Sequence, residues 1–487
     1  MTPDEQDALS EALPDKTRAS VASQLVMLAL AGETFVRGTD GRTYAVAQTG
    51  PSLAQPLRGD GGYRRRLAAD FYDQTGNVAT TSALADALRI LEARSEEQDP
   101  RPVYQRVALN PDGVLLDLCR PDARVVEITT SGWTVRPLTG SDPLLRRSRT
   151  MGEMPLPEHN GDLAELWSLL NLREADRAVL AGFMAATFLP QVAQPFLLFK
   201  GEQGTGKTTA AKMQLTLLDP GPGQMTSTPR TEKDFAVSAQ GRTVLGVDNL
   251  STITPAFSDM ICRAVTGEAI VSRALYTDDD LSILSYRIGL IITSIEPGAL
   301  RGDLAERMLP IQLEPFGSGT KPEDELWQDF LERRPRLLGA VLDLVVAGLR
   351  NMTKVDRPEA GWPRMADFGK LLAALDLEYS TDGLSTYLRA ISDSELEVVA
   401  GNPLADALLR LIDKGDEYLG TPTRLMNTLV HERLHTSEER RGWRTPQELS
   451  QSLARLSKGL RLAGLHVEWR KSNGKRLLHL RRDTDLA

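Results

Sequence analysis

The chain has 487 residues, 41% hydrophobic and 25% charged, a globular balance with length for about two to four domains that excludes a disordered, fibrous or disulfide-built protein. Its net charge of −9 and pI of about 5.4 argue against a surface coated for nucleic acid. Between Arg440 and Arg482, however, twelve basic residues face two acidic ones, a balance of +10 on a remainder of −19.

Cys119 and Cys262 lie far apart in no metal or redox spacing and are expected to be reduced side chains of a cytoplasmic protein. The acidic start, Met1 to Glu5, does not resemble a signal peptide, and the longest apolar runs, Leu180–Pro190 and Leu337–Leu349, fall short of a bilayer span.

The first residues are polar, after which the patterning predicts helices over Val21–Ala31, Tyr63–Thr75 and Ser82–Ser95, the last capped by Thr81 or Ser82. Short β-type runs follow at Val103–Val107, Val114–Leu118, Val125–Thr129 and Trp133–Val135, separated by Asn-Pro-Asp-Gly and Ser-Gly turns. Together they predict a small α+β N-terminal domain, closed by a Pro-rich linker at Met154–Pro157.

An amphipathic helix over Asp162–Phe188 leads into an apolar strand, Phe196–Lys200, from which strands and helices alternate to Leu313. That alternation predicts a parallel sheet flanked by helices. Gly201-Glu202-Gln203-Gly204-Thr205-Gly206-Lys207-Thr208, followed by Thr209, matches G-x-x-x-x-G-K-[ST] between a strand and a helix. In such a loop the backbone N–H groups turn inward on phosphates, Lys207 reaches the β and γ phosphates, and the Thr208 hydroxyl ligates Mg2+. ATP and Mg2+ are the expected cofactors.

Forty residues on, Thr243–Val247 reads as a buried strand ending in Asp248-Asn249, with Asp248 placed to hold the metal. Many ATPases of this kind carry Glu at the second position. Asn249 leaves the catalytic base open, with Glu268 and Glu296 as candidates. A third strand, Ile288–Ile292, ends in the polar pair Thr293-Ser294, resembling the place where ring-forming ATPases carry a residue that senses the γ phosphate. Arg301 and Arg307 follow, either of which could reach a neighbouring subunit's phosphate.

Cys262 to Tyr276 resembles the motif between the acidic strand and the sensor strand of superfamily-3-type helicases. The stretch from Asp162 to Pro315 resembles the AAA+-like ATPase of phage and plasmid primase-helicases, and is similar to ATP-binding proteins of bacterial integrated elements. The resemblance implies catalytic roles for Lys207, Asp248, Asn249, Thr293 and Arg301 or Arg307, metal contacts from Thr208 and Asp248, and a β-hairpin entering a ring channel. Two departures stand out: the sensor is Thr293 where Asn is common, and the hairpin carries Asp278-Asp279-Asp280, which would repel phosphates. Arg273 and Arg287 are the expected strand contacts instead.

After Pro315 helical patterns return over Glu323–Asn351 and Arg364–Leu375. Thr445-Pro446-Gln447-Glu448 has the form of a capping box opening a helix. Two β-type runs then flank Ser472-Asn473-Gly474-Lys475, a hairpin signal. The order predicts a winged helix-turn-helix, its Ser450–Leu462 helix toward a groove, with Arg455, Lys458, Arg470, Lys471, Lys475 and Arg476 as DNA contacts. His431-Glu432-Arg433-Leu434-His435 spells a zinc-protease pattern but has no evident third ligand.

The sequence therefore reads as an α/β protein with an N-terminal α+β domain (1–158), a P-loop ATPase core (159–318), a helical lid (319–400) and a winged-helix-like basic domain (401–487). The expected function is that of an ATP-dependent DNA motor, a ring-forming replicative helicase of a mobile element. The expected partners are DNA, further copies of the chain in a hexamer, and a separate primase, since the N-terminal domain is too short to be one. The alternative is an ATP-gated initiator that binds DNA with little unwinding.

Overall fold

The structure, a computed structural model, describes residues 19–59, 62–267, 270–273, 281–284, 287–295, 302–316, 321–359, 361–413, 415, 417–432, 443–472 and 475–482. It opens with α1 (Val21–Gly32), a three-stranded antiparallel sheet of β1 (Glu33–Arg37), β2 (Thr43–Ala47) and β3 (Ala54–Pro56), then α2 (Tyr63–Thr75) and α3 (Thr81–Glu96). The cap of α3 is Thr80, one residue ahead of the expected pair, because its hydroxyl accepts from the Ala83 N–H. Leu25, Phe35, Leu67, Phe71 and Leu91 give these elements a core of their own.

The predicted strand Val103–Val107 is two strands. β4 (Val103–Tyr104) pairs with β9 (Leu144–Leu145), while β5 (Val107–Asn110) opens an antiparallel meander with β6 (Gly113–Asp117), β7 (Arg124–Thr129) and β8 (Gly132–Pro137). The break falls at Arg106, whose φ of 56° turns the chain and whose side chain is buried. The guanidinium donates to Asp219 Oδ1 at 3.0 Å and to the carbonyls of Asp117, Gly152 and Pro220.

The inner face of the meander, including Val114, Leu116, Val126 and Trp133, belongs to the same continuous core as the parallel sheet that follows. The Pro-rich passage is packed rather than free: Met154 is buried, its N–H donates to Leu118 O, and Glu158 N–H donates to Pro335 O. Gly339 makes that crossing possible, since a Cβ there would lie 1.8 Å from Glu158 O.

The helix expected over Asp162–Phe188 is interrupted, giving α4 (Ala164–Trp167) and α5 (Glu174–Thr187). Between them the chain is used as an edge: Leu172 bridges Leu313, and Glu314 N–H donates to Asn171 O. The central sheet contains β10 (Phe196–Lys200), β11 (Met225–Thr226), β12 (Val244–Leu250), β15 (Gly289–Ser294) and β16 (Met308–Gln312), in the order β11-β12-β15-β10-β16. Every pair is parallel. The strands are short apolar runs, as burial on both faces requires.

Helices α6 (Lys207–Leu218), α7 (Glu232–Ala239), α8 (Pro255–Thr266) and α9 (Gly302–Ala305) connect them. Between α8 and β15 the antiparallel pair β13 (Ile270–Arg273) and β14 (Leu281–Leu284) forms the expected hairpin. Its tip, with Asp278–Asp280, lies outside the described residues.

Three helices, α10 (Glu323–Asn351), α11 (Ala366–Tyr379) and α12 (Gly383–Ala400), pack on one another and on α5. The C-terminal unit runs α13 (Pro403–Asp413), β17 (Glu417–Gly420), α14 (Pro422–His431), α15 (Pro446–Leu462), β18 (Leu465–Ser472) and β19 (Lys475–Arg482), its sheet ordered β17-β19-β18. Three helices with a strand pair after the third give the winged helix-turn-helix arrangement, and the Thr445–Glu448 capping box is present. Among the described residues no helix is long and apolar enough to cross a membrane.

Candidate nucleotide site and nucleic-acid surface

The loop 201–206 leaves β10 and enters α6 through Gly206, whose φ of 78° suits glycine. A Cβ at Gly206 would meet the Phe316 ring at 2.9 Å. Thr205 is buried and ties the loop by donating to Glu202 O at 3.0 Å. Gln203 and Gly204 are exposed at the loop's crest. Lys207 Nζ donates to the Gly201 and Glu202 carbonyls at 2.8 and 2.5 Å, so it sits on the concave side of its own loop. Burial lowers its pKa, and the charge of Asp248 pulls the other way. Thr209, one position on, lies 3.5 Å from Glu323 Oε1.

Because β15 lies between β10 and β12, the ends of three strands converge on one carboxylate. Asp248 Oδ1 accepts from Thr208 Oγ1 at 2.9 Å and from Thr293 Oγ1 at 2.6 Å. Thr293 is buried, and its hydroxyl accepts in turn from the Asn249 N–H at 2.8 Å. Thr208 and Asp248 thus present two hard oxygens at a separation close to the ~3.0 Å edge of an octahedron built at about 2.1 Å, which fits Mg2+.

Asn249 has φ 52° at a break in the β12–β15 register. Asparagine tolerates this left-handed backbone where a longer acidic side chain would be strained. A cleft of about 830 Å3 opens beside Asp248 and Asn249, edged by Thr226, Ser227, Thr228 and Arg230. Among the described residues lining it, Asp248 is the only carboxylate. Glu268 and Glu296 lie outside the described residues, as does Arg301.

Arg307 is turned inward within the chain. It is 8% exposed and donates to Asp303 O at 2.8 Å, close to the half-buried Cys262. The turn after α9 folds it inward because its own backbone carbonyl accepts from Phe196 at the start of β10. Arg287 is exposed at the opposite end of β15 from Thr293 and donates to Pro190 O at 3.1 Å. Arg273 ends β13, paired with Leu281.

Two models of one family match this chain: the actinomycete integrative conjugative element replication protein over residues 163–397, and the RepA C-terminal domain of the same elements over 404–486. The chain belongs to this family. The matches cover the parallel sheet with its helices and the C-terminal unit, leaving the N-terminal elements outside. No curated protein matches. Solved structures with a similar fold include an active helicase, SCCmec type IV Cch, at 13% identity and TM-score 0.48, covering 94% of each chain. Another is the apo C-terminal region of NrS-1, at 10% identity and TM-score 0.40, covering 94% of this chain and 98% of that one.

In this replication protein the C-terminal basic residues divide into two groups. Lys458, expected to face a DNA groove from α15, instead meets Glu306 at 2.5 Å and Glu395 at 3.9 Å, because α15 is packed on α9 and α12. Arg455 lines, with Lys458, Glu306 and Glu395, a second cleft separate from the one beside Asp248. Arg470 and Arg481 both pair with Glu468, at 3.3 and 3.1 Å, and Arg482 pairs with Asp413. Lys471 and Arg476 are exposed, and Arg476 stacks over Trp469 at 4.1 Å. Lys475 begins β19 opposite Ser472.

Within the zinc-protease pattern α14 ends at His431 with Glu432 as its C-cap, and His435 lies outside the described residues. Among the described residues no three His, Cys, Asp or Glu side chains gather as a metal site. Sequence reasoning missed Arg106 with Asp219 and Lys458 with Glu306, pairs that no local spacing could announce.

Proposed function

We propose that this replication protein is an ATP-dependent DNA motor, a ring-forming helicase that hydrolyses ATP between subunits, working in the cytoplasm on the element's DNA. The observation that carries this reading is the sharing of Asp248 by the hydroxyls of Thr208 and Thr293 at the mouth of a P-loop. Loop N–H groups and Lys207 would hold the phosphates, the lysine exchanging the Gly201 and Glu202 carbonyls for phosphate oxygens. Mg2+, bound by Thr208 with Asp248, would neutralise charge developing at the γ phosphate.

Thr293 is then a positioning group with a direct line to both Asp248 and the backbone of Asn249. Loss of phosphate would change what Asp248 accepts and so shift β15, whose other end follows the β13–β14 hairpin. In this reading the chain divides at about 158, 318 and 400 into four parts, six copies close the ring, Arg301 supplies the intersubunit charge, and priming comes from another polypeptide.

A second reading is favoured by Asn249: with no carboxylate beside Asp248 among the described cleft residues, ATP would gate assembly of an initiator on DNA with little unwinding. Displacement of a labelled strand from a forked duplex separates the two. The motor predicts ATP-dependent displacement by the native chain and none by Lys207→Ala; DNA binding that responds to ATP without displacement selects the initiator.

A further inference from the structure

We propose that the C-terminal unit meets duplex DNA through Lys471 and Arg476, paired across the strands β18 and β19, and that α15, the helix that would enter a groove, is instead an interface with the ATPase. The proposal rests on the reading that this protein acts on DNA.

The surroundings of α15 carry the first half. One side of the helix, Leu449, Leu453, Leu456 and Leu460, is buried within the unit. A second side is closed by α12, where a Cβ at Gly459 would lie 2.6 Å from the Val399 side chain and 2.8 Å from Glu395 O. The middle of the remaining side, Ala454 to Lys458, faces a cleft of about 420 Å3 whose far wall carries Asp259, Asp303, Glu306 and Glu395. A duplex brought to this face would meet a wall whose acidic side chains already hold Lys458 and Arg364, and Lys458 would have to leave Glu306. Glu306 is held further by Arg364 at 3.2 Å, and these two cations keep its carboxyl below the usual range.

The strand pair supplies the second half. Lys471 and Arg476 are cross-strand partners beyond the last buried positions of the sheet, and among the described residues neither has an acidic partner. Trp469 lies two residues before Lys471 on the same face and supports the Arg476 guanidinium, which fixes a planar donor outward without desolvating it. The opposite face of the pair differs: Arg470 and Arg481 share Glu468 and so offer little net charge. Among the described cations of this +10 region, Lys471 and Arg476 are the two that stand side by side on one face of the strand pair without an acidic partner.

Anisotropy of a short labelled duplex, titrated at several salt concentrations, tests the assignment. Removing one cation that neutralises a phosphate lowers the slope of log K against log salt by about 0.9, a factor of roughly 3 in affinity between about 50 and 200 mM. Lys471→Ala and Arg476→Ala are expected each to show that drop, with Arg476→Lys intermediate because charge remains without the stack on Trp469. Arg455→Ala and Lys458→Ala are expected to keep the native slope, with far-UV circular dichroism reporting that all variants are folded. Native slopes for both the Lys471 and Arg476 variants, or a drop confined to the α15 variants, would overturn the proposal. Failure of the native chain to bind duplex at low salt would instead overturn the DNA reading on which it rests.

Discussion

Replacing Arg106 by Met should be among the most damaging single changes outside the nucleotide site. Its guanidinium is buried, donates to Asp219 Oδ1 at 3.0 Å and satisfies three backbone carbonyls. Asp219 caps the end of α6, and its other oxygen accepts the N–H groups of Thr243 and Val244 where β12 begins. Methionine fills the volume but leaves that carboxylate uncompensated. Breaking a buried ion pair in this way costs about 3–5 kcal/mol, against about 1 kcal/mol for a neutral hydrogen bond. Urea unfolding followed by tryptophan fluorescence reads the loss as a lower midpoint at unchanged slope. The double variant Arg106→Met/Asp219→Asn should recover part of it, since no charge is then stranded while the amide oxygen still accepts from β12. Arg106→Lys supplies a milder variant should the first fail to fold. A cost under about 1 kcal/mol, or a double variant no more stable than the single one, would refute the reasoning.

Three further outcomes follow from the same geometry. Thr293→Val removes the hydroxyl that joins Asp248 to the Asn249 backbone, and should lower Mg2+-dependent ATP turnover about 10–100-fold, with nucleotide affinity measured without metal unchanged. Gly339→Ala forces a Cβ against Glu158 O and should cost about 1–3 kcal/mol in thermal or urea unfolding, with the 154–161 segment becoming protease-sensitive. Burial pushes the Glu395 carboxyl up to about 7, Lys458 opposes the shift, and Glu306 and Asp303 add to it. Because its folded pKa is raised, its contribution is fully present below the ordinary carboxylate range and is lost as pH rises through 7. Glu395→Gln should therefore gain on the native chain as pH rises from 5 to 8, by an amount of order 2–3 kcal/mol, and a pH-independent difference would contradict the assignment.

The elements that carry chemistry were legible because each is a local pattern. The P-loop and the strands that carry Asp248 and Thr293 stand where spacing and apolar runs put them, and the β13–β14 pair stands where the helicase resemblance implied a hairpin. The winged unit was legible for the same reason, from a capping box and a turn signal. Patterning could not show that Arg106 would turn at positive φ to reach Asp219, 113 residues away, since long-range pairs leave no periodicity. It likewise placed Arg307 on a surface and Lys458 in a groove, because a charged side chain is read as exposed and unpaired until the neighbouring element is known. The interruption at Leu172 was hidden within an amphipathic run, and only its bridge to Leu313 explains it.

The central claim, a working nucleotide site whose turnover is spent on DNA, is tested most directly by the steady-state rate of ATP hydrolysis with Mg2+, with and without single-stranded DNA, for the native chain beside Lys207→Ala. The account predicts hydrolysis that DNA accelerates and that vanishes in the Lys207 variant. Equal rates in the two proteins, or a native rate indifferent to DNA, would contradict it.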